Sequence, residues 1–199
     1  MVAFNVLENQ LFLSKEDKKL DSKNKIDNFL RKVQVRALRI TMIHIRDLEE
    51  SKDIVQDAMI SLATKYANRP SIELPPLFYR ILFNKIKDWH RKNTIRRKVI
   101  SFFNFSGDDG DEIDMIESFG NESLSPVKVK QSEELATIIQ DGLEKLPDRQ
   151  KEAFILRNFE GMSVKDTSIA MRCSEGSVKT HYFRAMKKLK SILDEYEEE

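Results

Sequence analysis

Apolar residues recur every three or four positions at Ile26, Phe29, Leu30, Val33, Ala37 and Ile40. They do so again at Ile54, Val55, Ala58, Met59, Leu62, Ala63 and Tyr66, and again at Leu77, Phe78, Ile81, Leu82, Ile86 and Trp89. That spacing lines one side of an α-helix, whereas a half-buried strand would alternate. Over residues 99–132 the period vanishes, and it returns between 133 and 193. Helices with matching stripes bury them against one another, so the first half reads as a small bundle and the second block as a unit with its own core. With 6 Gly and 5 Pro in 199 residues, the chain is short of turn formers and suited to helix. The fold class that follows is all-α, with two small helical domains joined by a flexible acidic linker. The pattern sets an N-terminal arm at 1–23, a bundle at 24–98, the linker at 99–132, a second unit at 133–193 and an acidic tail at 194–199.

Helix ends are marked by their own chemistry. Asp47 with Glu50 three positions on forms a capping box for the second helix. Ala67-Asn68-Arg69-Pro70 opens a loop that runs to Pro75-Pro76, and proline is tolerated at a first helical position, so the third helix is expected to start near Pro76. In the second unit, Leu135, Ile138, Ile139 and Leu143 share a face and Leu146-Pro147 interrupts. A helix is expected from 148 to Glu160, with Gly161 as its C-cap. Ser163 and Asp166 repeat the capping pattern before a short helix to Met171. The turn Arg172-Cys173-Ser174 leads into a last helix from Glu175 that buries Val178, Tyr182, Ala185 and Leu189. A short helix, a tight turn and a longer second helix are the cues of a helix-turn-helix.

The formal net charge of +1 conceals segregation. Residues 80–98 carry eight Lys/Arg and one Asp; residues 99–127 carry seven Asp/Glu and no Lys/Arg; residues 172–190 carry six Lys/Arg against Glu175 alone. Such blocks imply separate electrostatic tasks. Cys173 is the only cysteine, which excludes an internal disulfide and a thiolate metal cluster and fits a reducing cytoplasm. The N-terminal residues lack a signal peptide's apolar core, and no apolar run is long enough to predict a membrane span. His44, His90 and His181 are scattered without metal spacing and are expected at the surface or half-buried. The acids from Asp108 to Asp114 lie in a Gly-containing stretch without the scaffold of a two-metal nuclease. No catalytic residue, metal or cofactor is therefore expected.

Two basic surfaces remain. In a helix-turn-helix the second helix enters the major groove, its early residues nearest the bases. Here those are Ser177, Lys179, Thr180, Phe183 and Arg184, with Lys187, Lys188 and Lys190 placed for phosphates. The bland alternative is a helical hairpin with a solvated lysine face, but two spaced caps, a short turn and a basic second helix favour DNA. The second surface interleaves Arg80, Lys85, Lys87, Arg91 and Lys92 with aromatic residues, a pattern suited to single strands with unstacked bases. Phe78 and Trp89 belong to the core stripe, whereas Tyr79 and Phe83 lie off it and are expected to be exposed.

The segment DIVQDAM (Asp53–Met59), followed by LFYRILFNKIKDWHRK (Leu77–Lys92), resembles the second conserved region of the sigma-70 family of transcription initiation factors, in its extracytoplasmic-function group. The segment from Leu146 to Leu189 is similar to that family's fourth region. SEGSVKTH alone also resembles regulators of the quorum-sensing type, but the two regions in this order are specific. The resemblance implies a factor that binds core RNA polymerase and directs it to promoter DNA. Asp53, Gln56 and Asp57 match the surface that grips the clamp helices of the polymerase's largest subunit, and the flap of the second-largest subunit is a further expected contact. The loop 67–76 with Asn68 and Arg69, and the helix bearing Arg80, Asn84, Lys87 and Arg91, match the part that opens the minus-ten element and holds a flipped base. Asn84 stands at a recurrent Asn of the family; Leu77 stands where Trp is often found. Arg157, Lys179, Thr180, Phe183 and Arg184 match positions that dock on the minus-thirty-five element. The acidic linker matches the segment that threads toward the polymerase active site and RNA exit path, where its seven carboxylates could imitate nucleic-acid charge; composition alone favours a solvated, disordered tether. An anti-sigma factor commonly accompanies members of this family.

The competing reading is a helix-turn-helix regulator that binds an operator by itself. Such a regulator would carry a receiver or ligand-binding domain, and the first half here is a short charged bundle instead.

Overall fold

The computed structural model describes residues 15–103, 138–139 and 141–197, with side chains over 24–95, 138–139 and 141–195. All regular structure among these residues is helical. Helix α1 spans Lys15–Ile45 and α2 Leu48–Lys65. A 3-10 turn at Ser71–Glu73 leads into α3, Leu74–Phe103. After a helical segment at 141–144, α4 runs over Asp148–Phe154 and continues as a π-helical turn, Ile155–Phe159. Helices α5 (Val164–Met171) and α6 (Glu175–Glu197) complete the chain.

The caps form as the sequence implies. The Asp47 side chain accepts from Glu50 N at 2.9 Å, and Arg46, at φ 60°, makes the left-handed break between α1 and α2. Ser163 Oγ accepts from Asp166 N at 3.0 Å, and Gly161 holds φ 62° behind the π-helical turn. Val33, Ala37 and Ile40 of α1, Ile54, Val55, Ala58 and Leu62 of α2, and Phe78 and Leu82 of α3 are buried together. In the second unit Leu143, Leu146, Phe154, Ala185 and Leu189 form a smaller cluster.

Helix limits differ from expectation in four places. Helix α1 begins at Lys15, inside the expected arm, because Lys15–Lys23 contains strong helix formers and no breaker even though it lacks an apolar stripe. Helix α3 begins at Leu74, so Pro75 and Pro76 sit in its first turn, where a missing N–H costs nothing. It also runs past Lys98 to Phe103, into the expected linker, since no Gly or Pro stops it before Gly107. Helix α6 continues through Glu197, taking up most of the expected acidic tail, despite carboxylates at the unfavourable end of the helix dipole. The acidic residues Asp108–Asp114 of the linker lie outside the described residues.

One feature was invisible in the pattern. The two helical units are not separate: α3 packs along α5, and one buried cluster joins Val33, Phe78, Tyr79 and Phe83 to Ile155, Leu156, Met162, Ala170 and Met171.

Candidate nucleic-acid interface

Helices α5 and α6 form the helix-turn-helix. Arg172, at φ 54°, ends α5, and Ser174 Oγ caps α6 by accepting from Ser177 N at 3.1 Å. That cap occupies Ser177, whose hydroxyl lies 2.8 Å from that of Ser174. Val178, Ala185 and Leu189 face the core, which turns Lys179, Thr180, Phe183 and Arg184 together toward solvent. Phe183 is 68% exposed, a large ring left in water on the helix expected to meet base edges. Arg157 is placed differently from this group. Its guanidinium donates to the Met162 carbonyl and lies 6.0 Å from the Tyr182 ring centroid. It braces the π-helical turn against α6, whose Tyr182 hydroxyl donates to Asn158 Oδ1 at 2.8 Å.

The second set is divided. Asn68 and Arg69 are exposed in the loop before α3, where Arg69 pairs with Glu73 at 3.4 Å. Asn84 and Arg91 are exposed on α3, with Arg91 3.0 Å from Asp88. Arg80 and Lys87 are half-buried against the C-terminal unit. Arg80 lines a shallow cleft with Ser168, Ile169, Arg172 and Cys173, and Lys87 Nζ lies 2.8 Å from Glu152 Oε1. Tyr79 and Phe83, expected at the surface, are buried. Their face of α3 is a second core-facing side, covered by the C-terminal unit, so leaving the main stripe did not mean leaving the core.

Asp53, Gln56 and Asp57 lie exposed on α2 as expected, and Asp57 Oδ2 accepts from Lys85 Nζ at 3.0 Å. Sequence reasoning missed Ile72, 82% exposed on the 3-10 turn beside Arg69. It also missed three acids of the second unit, Glu144, Glu152 and Glu160, which pair with Arg46, Lys87 and Arg36 of the first. Their eight-residue spacing was the available signal, but single acids between helical stripes read as solvated.

Two acids of the seam are almost fully buried, while their cationic partners reach solvent. Glu152 and Glu160 side chains are only 2% and 5% exposed. Glu160 Oε1 and Tyr79 Oη are both buried without a hydrogen-bond partner among the described residues. Burial, and then the Glu160 carboxylate, push the Tyr79 phenol above its ordinary range. His44 is buried, not half-exposed, and its pKa falls to about 3, first by burial and then by the charges of Lys151, His90 and Lys87. Lys151 is also pushed down, chiefly by burial.

Residues 136–189 match the family model described as sigma-70, region 4. The RNA polymerase sigma-H factor of Pseudomonas aeruginosa is 26% identical over 176 residues, which span 86% of this chain and 87% of that protein. The chain is thus similar, over most of its length, to RNA polymerase sigma factors. The ECF RNA polymerase sigma factor SigX of Bacillus subtilis is 24% identical over 78% of this chain and 76% of its own length. The fold is shared by the sigma factor RpoE of Bartonella quintana, solved in complex with the anti-sigma factor NepR. The TM-score is 0.61 at 21% identity, over 84% of this chain and 96% of that one. CnrH, solved with the cytosolic domain of CnrY, gives a TM-score of 0.56 at 18% identity.

Proposed function

We propose that this protein is a sigma factor that binds core RNA polymerase and directs promoter-specific initiation in the cytoplasm, without catalytic chemistry of its own. The observation that carries the reading is the pairing of a region 4 helix-turn-helix with a helical bundle, in relatives named as sigma factors that match most of both chains. Among the described residues, no helix is long and apolar enough to cross a membrane.

The division of labour follows from the surfaces. Lys179, Thr180, Phe183 and Arg184 stand together for the minus-thirty-five element, with Ser177 and Arg157 fixing the helix that presents them. The exposed Phe183 ring suits a thymine methyl group, and the two cations suit guanine edges or phosphates. Asn68, Arg69, Asn84 and Arg91 serve the minus-ten strand, joined by Arg80 and Lys87 once these are released. Ile72 projects from the same loop as an apolar tip that can wedge between bases, a device for unstacking DNA. Asp53, Gln56 and Asp57 offer a carboxylate face to the clamp helices. The cleft lined by Ile139, Phe154, Met186, Leu189 and Ile192 suits an apolar contact with the flap.

Reversal of charge at Asp53→Lys and Asp57→Lys tests the polymerase contact. Both side chains are exposed, and among the described residues the ion pair lost is the one between Asp57 and Lys85. The double variant is expected to keep its helical circular dichroism and to lose co-purification with core polymerase. Undiminished co-purification would remove this face from the account.

A further inference from the structure

Arg172 ends α5 at φ 54°, and two backbone bonds close the turn around it. Arg172 N donates to the Ile169 carbonyl at 3.4 Å and Cys173 N to the Ser168 carbonyl at 3.1 Å. Helices that close this way mostly place glycine at the left-handed position, and sometimes asparagine. A larger L-residue there brings its Cβ close to the following carbonyl oxygen. Arginine gains nothing for the turn itself, and a backbone held at such a cost points to a task for the side chain.

That side chain lines the cleft between α3 and α5 together with Arg80, Ser168, Ile169 and Cys173. Arg80 comes from the first unit and Arg172 from the second, and no carboxylate lines the cleft. Arg36, Arg46 and Lys87 of the first unit each have an acid across the seam. Arg80 and Arg172 have no side-chain hydrogen bond or ion pair among the described residues. Two guanidiniums facing one cleft repel each other unless an anion joins them, and a phosphate accepts paired hydrogen bonds from each. Ser168 Oγ already donates to the Lys165 carbonyl at 2.7 Å, so recognition falls to the arginines. Burial pushes the Cys173 thiol up, which keeps it uncharged beside an anion. Ile169, 40% exposed, adds an apolar wall. The cleft measures about 520 Å³, within the range of small-molecule sites. A recess of this size between two units suits a small molecule rather than a polymer strand.

We propose that the cleft between α3 and α5 binds a small phosphorylated molecule, its phosphate held between Arg80 and Arg172 and its apolar part laid on Ile169. Because the two arginines come from different units, the complete site exists only while α3 packs along α5, and a bound ligand stabilises that packing. The site goes beyond the sigma-factor reading and does not rest on it.

The test uses the full-length protein, with adenosine diphosphate as the probe and adenosine and oligothymidylate as comparisons. The variants are Arg172→Gly and Arg80→Gln. Arg172→Gly removes the guanidinium and installs the residue that a left-handed turn favours, so it folds at least as well as wild type. Titration calorimetry at low salt is expected to show one saturable site for the diphosphate and none for adenosine. Each variant is expected to bind about tenfold more weakly, the usual effect of losing a charged hydrogen bond. Thermal unfolding gives a second readout. The diphosphate raises the midpoint of wild type and leaves that of Arg172→Gly unmoved, although the variant alone is no less stable. Equal binding by wild type and both variants would overturn the proposal and assign the diphosphate to other basic surfaces. Absence of saturable binding to wild type would overturn it too. So would an Arg172→Gly variant that loses affinity for oligothymidylate but not for the diphosphate, which would make the cleft a contact for a nucleic-acid backbone.

Discussion

Lys87 Nζ and Glu152 Oε1 meet at 2.8 Å across the seam between the two helical units, with the carboxylate almost wholly removed from water. One residue belongs to the helix assigned to the melted strand and the other to the unit assigned to the upstream duplex. The two units proposed to face DNA are thus in direct electrostatic contact.

The recognition helix gives the simplest prediction. Lys179→Ala and Arg184→Ala are each expected to weaken binding to upstream-element duplex, each lost phosphate contact reducing the slope of log affinity against log salt by roughly one. Both side chains are exposed, so folding should not change. A weaker affinity with an unaltered slope would assign the residue to base edges instead.

Strand opening should separate from duplex docking. Asn84→Ala and Ile72→Ala leave the helix-turn-helix untouched and lie at exposed positions. Permanganate footprinting is expected to show reduced melting on a duplex promoter, with activity restored on a template already mismatched at the minus-ten element. Variants equally defective on both templates would contradict the division of labour.

His44 predicts a pH dependence. Its folded pKa of about 3 lies below the ordinary 6.5, so the unfolded chain takes up a proton between these values and the folded one does not. This contribution is fully present above pH 6.5 and is lost as pH falls toward 3, by at most about 1.4 kcal/mol per pH unit. Urea unfolding at pH 7 and pH 5 should show the loss, and His44→Leu should show less of it. Equal losses in both proteins would place the acid sensitivity elsewhere.

Gly161 supplies a stability check on the π-helical turn. With φ at 62°, a Cβ there meets no neighbour, so only backbone strain is added. Gly161→Ala is expected to cost about 1 kcal/mol in urea unfolding without altering upstream-element affinity.

Much of this arrangement was legible in local chemistry. Asp47 and Ser163 announced their helices because a capping side chain acts within three residues, and Val178, Ala185 and Leu189 announced the buried side of α6 by spacing alone. Tyr79 and Phe83 misled because a one-sided stripe presumes one neighbour, and α3 has two. The second neighbour, α5, lies far along the chain, and no local period encodes that contact. Glu152 was missed for the same reason: its partner Lys87 belongs to the other unit. Helix ends at Lys15, Phe103 and Glu197 overran the apolar pattern because propensity, not burial, extends a helix until a breaker intervenes.

The central claim is that this chain gives core RNA polymerase its promoter specificity. Run-off transcription with purified bacterial core polymerase, on a library of duplexes randomised over both promoter elements, tests it most directly. The account predicts discrete transcripts only when the protein is added, from templates that share two conserved blocks. Transcripts that are absent, or identical with and without the protein, would contradict it.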